Sequence, residues 1–149
     1  KTLTVEEIGE ILGKADFAAH QSEAEERYGD TDDWRESRVR TASWQAADRR
    51  QNAERFQDIE CRMIDAIRDG AAPDSERAAG LVEEHREALS AFFPVTPAKH
   101  YIMSRGYIHD ERFRAHYDSQ YVGFAQWLAD AIESAARRQG INLENPTWG

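Results

Sequence analysis

Apolar residues recur every three to four positions along nearly the whole chain, and no stretch alternates with the two-residue period of a strand. That pattern admits helices buried against helices, because a helical stripe can hide only by facing another element. The punctuation agrees. The prolines, and glycines such as Gly13, Gly29, Gly70 and Gly140, fall between patterned stretches. Thr4-Val5-Glu6-Glu7 reads as a capping box opening a short helix with Val5, Ile8 and Ile11 or Leu12 on one side. Asp16 to Tyr28 reads as a second helix, stopped by Gly29, with only Phe17 and Tyr28 as large apolar groups. So thin a hydrophobic face docks weakly.

Further along, Asp30-Thr31-Asp32 predicts a cap for a short helix carrying Trp34 and Val39. Ser43 predicts the start of a long helix closed by Gly70, with Phe56, Ile59, Met63 and Ile67 as its stripe. Pro73-Asp74-Ser75 opens the next, whose apolar side is Ala78, Leu81, Val82, His85, Leu89, Phe92 and Phe93. Thr96 caps a helix with Pro97 at its first position, and Asp110 caps a short one holding Phe113 and Tyr117. The last is expected from about Ser119 to Gln139, with Gly140 beyond it. There Tyr121, Ala125, Leu128 and Ile132 form one stripe, and Phe124, Trp127 and Ala131 a neighbouring one. The expected fold is therefore all-α, with seven to eight helices in one domain over residues 1–149 and a tail at 141–149.

Length and composition set bounds on function. A chain of 149 residues, 40% hydrophobic and 32% charged, can bury a sizeable core. No apolar run approaches the length of a membrane span, so no membrane partner is expected. One cysteine, Cys61, excludes an internal disulfide framework and suits the cytoplasm. The first residue is Lys1 rather than methionine, as in a fragment of something longer. The net charge of −9 opposes contact with nucleic acid, whose affinity comes from Lys and Arg displacing counterions. Any DNA contact is expected to come from a separate segment.

Catalytic and metal chemistry find little support. His20, His85, His100, His109 and His116 show no HExxH pattern and no pair spaced to place two ligands on one helical face. His85 falls within an apolar stripe, where a hydrogen-bonded core or cleft histidine is the natural reading. Cys61 sits off the stripe of its helix with no partner identifiable in sequence. No convergent acid, base and nucleophile set is legible, so a helical hydrolase or transferase is not expected, nor any metal or cofactor. The aromatic residues are richer than simple stripes require: Trp34, Trp44, Tyr101, Tyr107, Phe113, Tyr117, Tyr121, Phe124 and Trp127, beside His100. Most serve any helical core, while the remainder, with Met103, Ser104 and Arg105, suit an apolar cleft with a few polar handles.

The segment EAEERYGDTDDWRES from Glu23 to Ser37 resembles the signature of the TipAS-type antibiotic-recognition domain of thiostrepton-induced MerR-family regulators. Pro73-Asp74-Ser75, Glu84-His85-Arg86, His100, Tyr107 and Asp110-Glu-Arg-Phe113 follow in order. Gln126-Trp-Leu-Ala-Asp-Ala-Ile132 and Ala135-Ala136-Arg137-Arg138 resemble the family's last helix. The resemblance covers nearly the whole chain. It implies a globin-like array whose N-terminal helices, residues 1–42, form a lid that is mobile without ligand and closes over a multi-ring, thiopeptide-like antibiotic bound against a core at 43–140. Tyr28, Trp34, His85, Phe92, His100, Tyr101, Arg105, Tyr107, Tyr121 and Trp127 are the expected cleft residues. Rings would stack on the drug, while His85, His100 and Arg105 would supply hydrogen bonds. In the family's type member a cysteine able to attack dehydroalanine shortly precedes the matched histidine, and Val95 takes that place here. Reversible binding is therefore expected. An effector domain biasing a DNA-binding dimer and a standalone sequestering protein both fit, and an in-frame upstream helix-turn-helix would distinguish them.

Overall fold

A computed structural model of the chain describes residues 32–146. Its helices are α1 (Asp32–Ala42), α2 (Ala46–Arg68), α3 (Glu76–Leu89), α4 (Pro97–His109), α5 (Glu111–Asp118) and α6 (Phe124–Arg138), and no strand occurs among the described residues. The two helices expected before residue 30 lie outside the described residues, as do Trp148 and the end of the expected tail.

Local chemistry sets most helix ends. At α4 the Thr96 hydroxyl accepts from the backbone N–H of Lys99, and Pro97 takes the first turn, where its missing N–H costs nothing. Asp110 Oδ1 accepts from Arg112 N at 2.9 Å to open α5. Ser75 Oγ does the same for Ala78 N at 3.2 Å ahead of α3. Two helices close alike. Gly70 and Gly140 adopt positive φ, and the residue after each donates back five positions, Ala71 to Ala66 and Ile141 to Ala136. Thr96→Ala should cost about 1 kcal/mol of stability. Urea melts would read this as a lower midpoint at unchanged slope, and an unchanged midpoint would contradict the cap.

Two boundaries differ from expectation. The long helix begins at Ala46 rather than beside Ser43, because Asp48 Oδ2 reaches back to accept from Gln45 N at 2.9 Å. The last helix begins at Phe124, five residues after Ser119. Gly123, at φ +87°, reverses the backbone, and Asp118 Oδ1 reaches forward to accept from Ala125 N at 2.9 Å. The cap is supplied across seven residues, which local patterning does not reveal.

The described residues form two compact units, 32–57 with 88–94, and 58–87 with 95–146. In the first, Arg40 Nη1 on α1 donates to the Ser90 carbonyl at 2.8 Å, and Trp44 packs 5.4 Å from Phe92. In the second, α4 lies along α6 and α5 touches both. The two stripes expected on α6 merge into one wide buried face of Phe124, Ala125, Trp127, Leu128, Ala129, Ala131, Ile132 and Ala136. Ile59, Met63, Ala66, Ala78, Leu81 and Val82 are buried in the same unit. Trp127 Nε1 donates to the Ala71 carbonyl at 3.0 Å, so α6 holds the turn that follows α2. Arg62 grips Glu84 with two hydrogen bonds of 2.7 and 2.8 Å between α2 and α3. That pair is half-exposed, where ion pairs contribute about 0–1 kcal/mol.

Candidate ligand-recognition site

The second unit contains a buried run of histidine and tyrosine. His85 from α3 and His100 from α4 meet through Nδ1 and Nε2 at 2.8 Å. Both rings are 1% exposed, so one nitrogen donates and the other accepts, and the pair is neutral. Burial holds the His85 pKa down to about 4. Burial also pushes His100 well below its ordinary range, with its neighbour His85 adding to the effect. Tyr107 stands edge-on to His85, with ring centroids 6.2 Å apart. Tyr117 lies 5.2 Å from Tyr107, and Phe124 5.2 Å beyond Tyr117. Burial raises both tyrosine pKa values, so the phenols remain protonated donors.

At the same unit's edge, His116 Nε2 on α5 meets Glu60 Oε1 on α2 at 2.9 Å, and Gln120 Nε2 reaches Glu60 Oε2 at 3.5 Å. Glu60 is a buried carboxylate. It is absent from the expected site residues, although Phe56 four residues before and Met63 three after put it on the edge of the α2 stripe. A charged residue at stripe spacing was the available signal. His116, 56 residues away, could not be assigned to it without the fold.

Of the expected cleft residues, His85, His100 and Tyr107 come together in this run. Tyr101 and Arg105 form a second group on α4, with the guanidinium 4.6 Å over the phenol ring. Arg105 Nη2 also approaches the Ala129 carbonyl on α6 at 3.4 Å. Tyr121 makes a different contact, beneath Arg68 at 5.4 Å. Trp127 is buried with its N–H on Ala71. Phe92 belongs to the first unit, half-buried against Trp44. Tyr28 lies outside the described residues, and the side chain of Trp34 likewise. A groove of about 330 Å³ in the second unit is lined by Arg62, Asp65, Glu76, Arg77, Gly80, Leu81 and Glu84, none of them an expected cleft residue.

Val95 is 2% exposed, and its carbonyl accepts from Arg86 Nη1 at 2.7 Å. Cys61 is exposed on α2. Among the described residues no group of three His, Cys, Asp or Glu side chains could hold a metal ion, and no helix is long and apolar enough to cross a membrane. A neutral histidine pair, protonated phenols and stacked rings offer hydrogen bonds and apolar surface. That is the chemistry of recognition.

The comparisons with known proteins give this chemistry a family. Residues 20–135 match the TipAS antibiotic-recognition domain. The chain is 31% identical over 137 residues to the HTH-type transcriptional activator TipA of Streptomyces coelicolor, and equally to that of Streptomyces lividans. These alignments cover 91% of this chain and 54% of each relative, so the chain spans about half the length of the curated relatives it matches. The solved structure of nosiheptide in complex with TipAS, from a thiopeptide antibiotic multidrug resistance system of Streptomyces lividans, superimposes with a TM-score of 0.82 at 30% identity, covering 93% of this chain and 97% of that one. With a family match over most of its length and a solved neighbour of this likeness, the chain belongs to the TipAS antibiotic-recognition domain family.

Proposed function

We propose that this chain is the effector-binding domain of a MerR-type transcription regulator. It binds a large multi-ring, thiopeptide-like antibiotic reversibly, and residues 1–42 close over the drug. The observation that carries this reading is the likeness, over 93% of the chain, to a TipAS domain solved with nosiheptide. Similarity to TipA supports the regulatory role, with DNA contact and any dimerisation supplied by a segment other than this one and the protein acting in the cytoplasm. The domain works by binding rather than catalysis. The aromatic residues of α4 and α6, and separately Phe92 of the first unit, provide stacking surface, and His85, His100 and Arg105 provide hydrogen bonds. Where His85 and His100 are closed off in the free domain, they act by fixing Tyr107 and the α3–α4 packing beneath the drug.

Reversibility follows from Val95. Its isopropyl group has no nucleophile, and it occupies the place that the sequence resemblance gives to the family's cysteine. Titration with nosiheptide should quench tryptophan fluorescence saturably, and dialysis should restore it. Intact mass should show no adduct, and amide exchange across residues 1–42 should slow on binding. Absence of saturable quenching would overturn the reading; a covalent adduct would overturn its reversible form.

A further inference from the structure

The first unit contains an arginine whose surroundings differ from those of its neighbours. Arg49, in the first turn of α2, stands with its guanidinium carbon 5.7 Å over the Trp44 ring. Its Nη2 donates to the Thr41 carbonyl at 3.2 Å, and its Nε is buried without a hydrogen-bond partner. Arg40, Arg62 and Arg77 take acids instead: Arg40 takes Glu36, Arg62 takes Asp58 and Glu84, and Arg77 takes Asp69. Among the described residues no carboxylate pairs with Arg49. The chain has 28 acidic residues, so a pairing acid would have been easy to supply. Burial lowers the Arg49 pKa with nothing opposing it. A partly desolvated cation with an unused donor is unfavourable until an acceptor arrives.

The other wall is aromatic. Trp44 and Phe92 pack at 44°, with centroids 5.4 Å apart, and both are half-buried. Phe92 is one of the expected cleft residues; its ring contact adds Trp44, and Trp44 brings Arg49. Aromatic faces accept a flat ring, and a guanidinium edge recognises an oxygen acceptor in the plane of that ring.

We propose that Trp44, Phe92 and Arg49 form a subsite for a planar aromatic ring bearing a carboxylate or carboxamide oxygen. The ring packs on Trp44 and Phe92, and the oxygen takes the Nε–H that the free protein leaves unused. A small rotation of the arginine stem presents that donor. This deepens the antibiotic-binding reading and rests on it only for the larger molecule to which such a ring belongs.

The test uses the full chain with two small probes, 2-naphthoate and 2-naphthylmethanol, followed by NMR of the tryptophan indole N–H signals, with the Trp44 signal assigned from Trp44→Phe. Naphthoate should shift the Trp44 signal and bind about tenfold more tightly than the alcohol. Arg49→Gln should weaken naphthoate about tenfold while leaving the alcohol unchanged, with the other three indole signals reporting that the fold is intact. Arg49→Lys keeps the charge but not the planar fork, and should lose about threefold or more. Should Arg49→Gln fail to fold, the Lys variant decides. A Trp44 signal that naphthoate does not move, or naphthoate affinity unchanged in the folded variants, overturns the proposal. Nosiheptide separates the two readings. Equal nosiheptide binding by wild type and Arg49→Gln sinks the subsite and spares the antibiotic reading. Arg49-dependent naphthoate binding without nosiheptide binding does the reverse.

Discussion

Phe124→Ala should lower the unfolding free energy by about 3–5 kcal/mol, the range for deleting a fully buried ring. Phe124 opens α6 with no exposed surface, and its ring meets Tyr117 of α5 edge-to-face at 5.2 Å and 73°. Alanine would remove the ring's transfer free energy and leave a cavity that α4, α5 and α6 cannot close without shifting together. The edge-to-face contact adds about 0.5–1.5 kcal/mol to what area alone provides. A single domain of this size holds about 5–15 kcal/mol in all, so the variant should approach marginal stability. Phe124→Leu fills most of the space and should cost markedly less. Urea denaturation with circular dichroism measures both. A loss below about 1 kcal/mol for the alanine variant would mean that the junction repacks freely, contrary to the buried face described for α6.

The domain should also lose stability steeply below about pH 6.5. Above that pH both His85 and His100 are neutral in the folded and unfolded chains, and neither makes stability depend on pH. As pH falls, the unfolded chain takes protons that the buried pair refuses, because the folded pKa of His85 is about 4 and that of His100 is also depressed. The unfolded state then binds more protons, so stability falls with pH. Each histidine contributes about 1.4 kcal/mol per pH unit across its window, which for His85 runs from its ordinary value down to about 4. The 2.8 Å contact reinforces the effect, since a doubly protonated pair would set two like charges together. Urea midpoints between pH 7 and 4.5 measure the slope. The double variant His85→Leu/His100→Leu should flatten it, because changing both members leaves no orphaned nitrogen. An equal slope in the double variant would assign the acid sensitivity to other groups.

How far the sequence alone reached follows the range of each interaction. Helix starts at Pro97 and Glu111 and stops at Gly70 and Gly140 were legible, since each depends on groups within six residues along the chain. The onset of α6 was misread by five residues because its cap, Asp118, acts from outside the helix. The cleft list was legible as residue types suited to recognition, not as a place. His85, His100 and Tyr107 do share a cluster, whereas Tyr121 and Trp127 make separate contacts that stripe spacing does not distinguish from the rest. The pairings of Glu60 with His116, and of Arg49 with Trp44 and Phe92, were not legible, since a polar residue at the edge of a stripe or beyond it looks solvated until its partner from elsewhere in the chain is known.

Helical periodicity and the absence of strand alternation determined, without coordinates, that this chain is all-α, and its acidity turned attention from nucleic acid to other ligands. Those properties are sums over local terms, and every residue reports them independently. Which side chains meet was decided only in the tertiary structure. The pairing of His85 with His100 spans 15 residues and requires α3 and α4 to meet, and that of Trp44 with Phe92 spans 48 and requires the α1–α2 connection to meet the turn after α3. Neither closure is encoded in any stretch of sequence short enough to be read by itself.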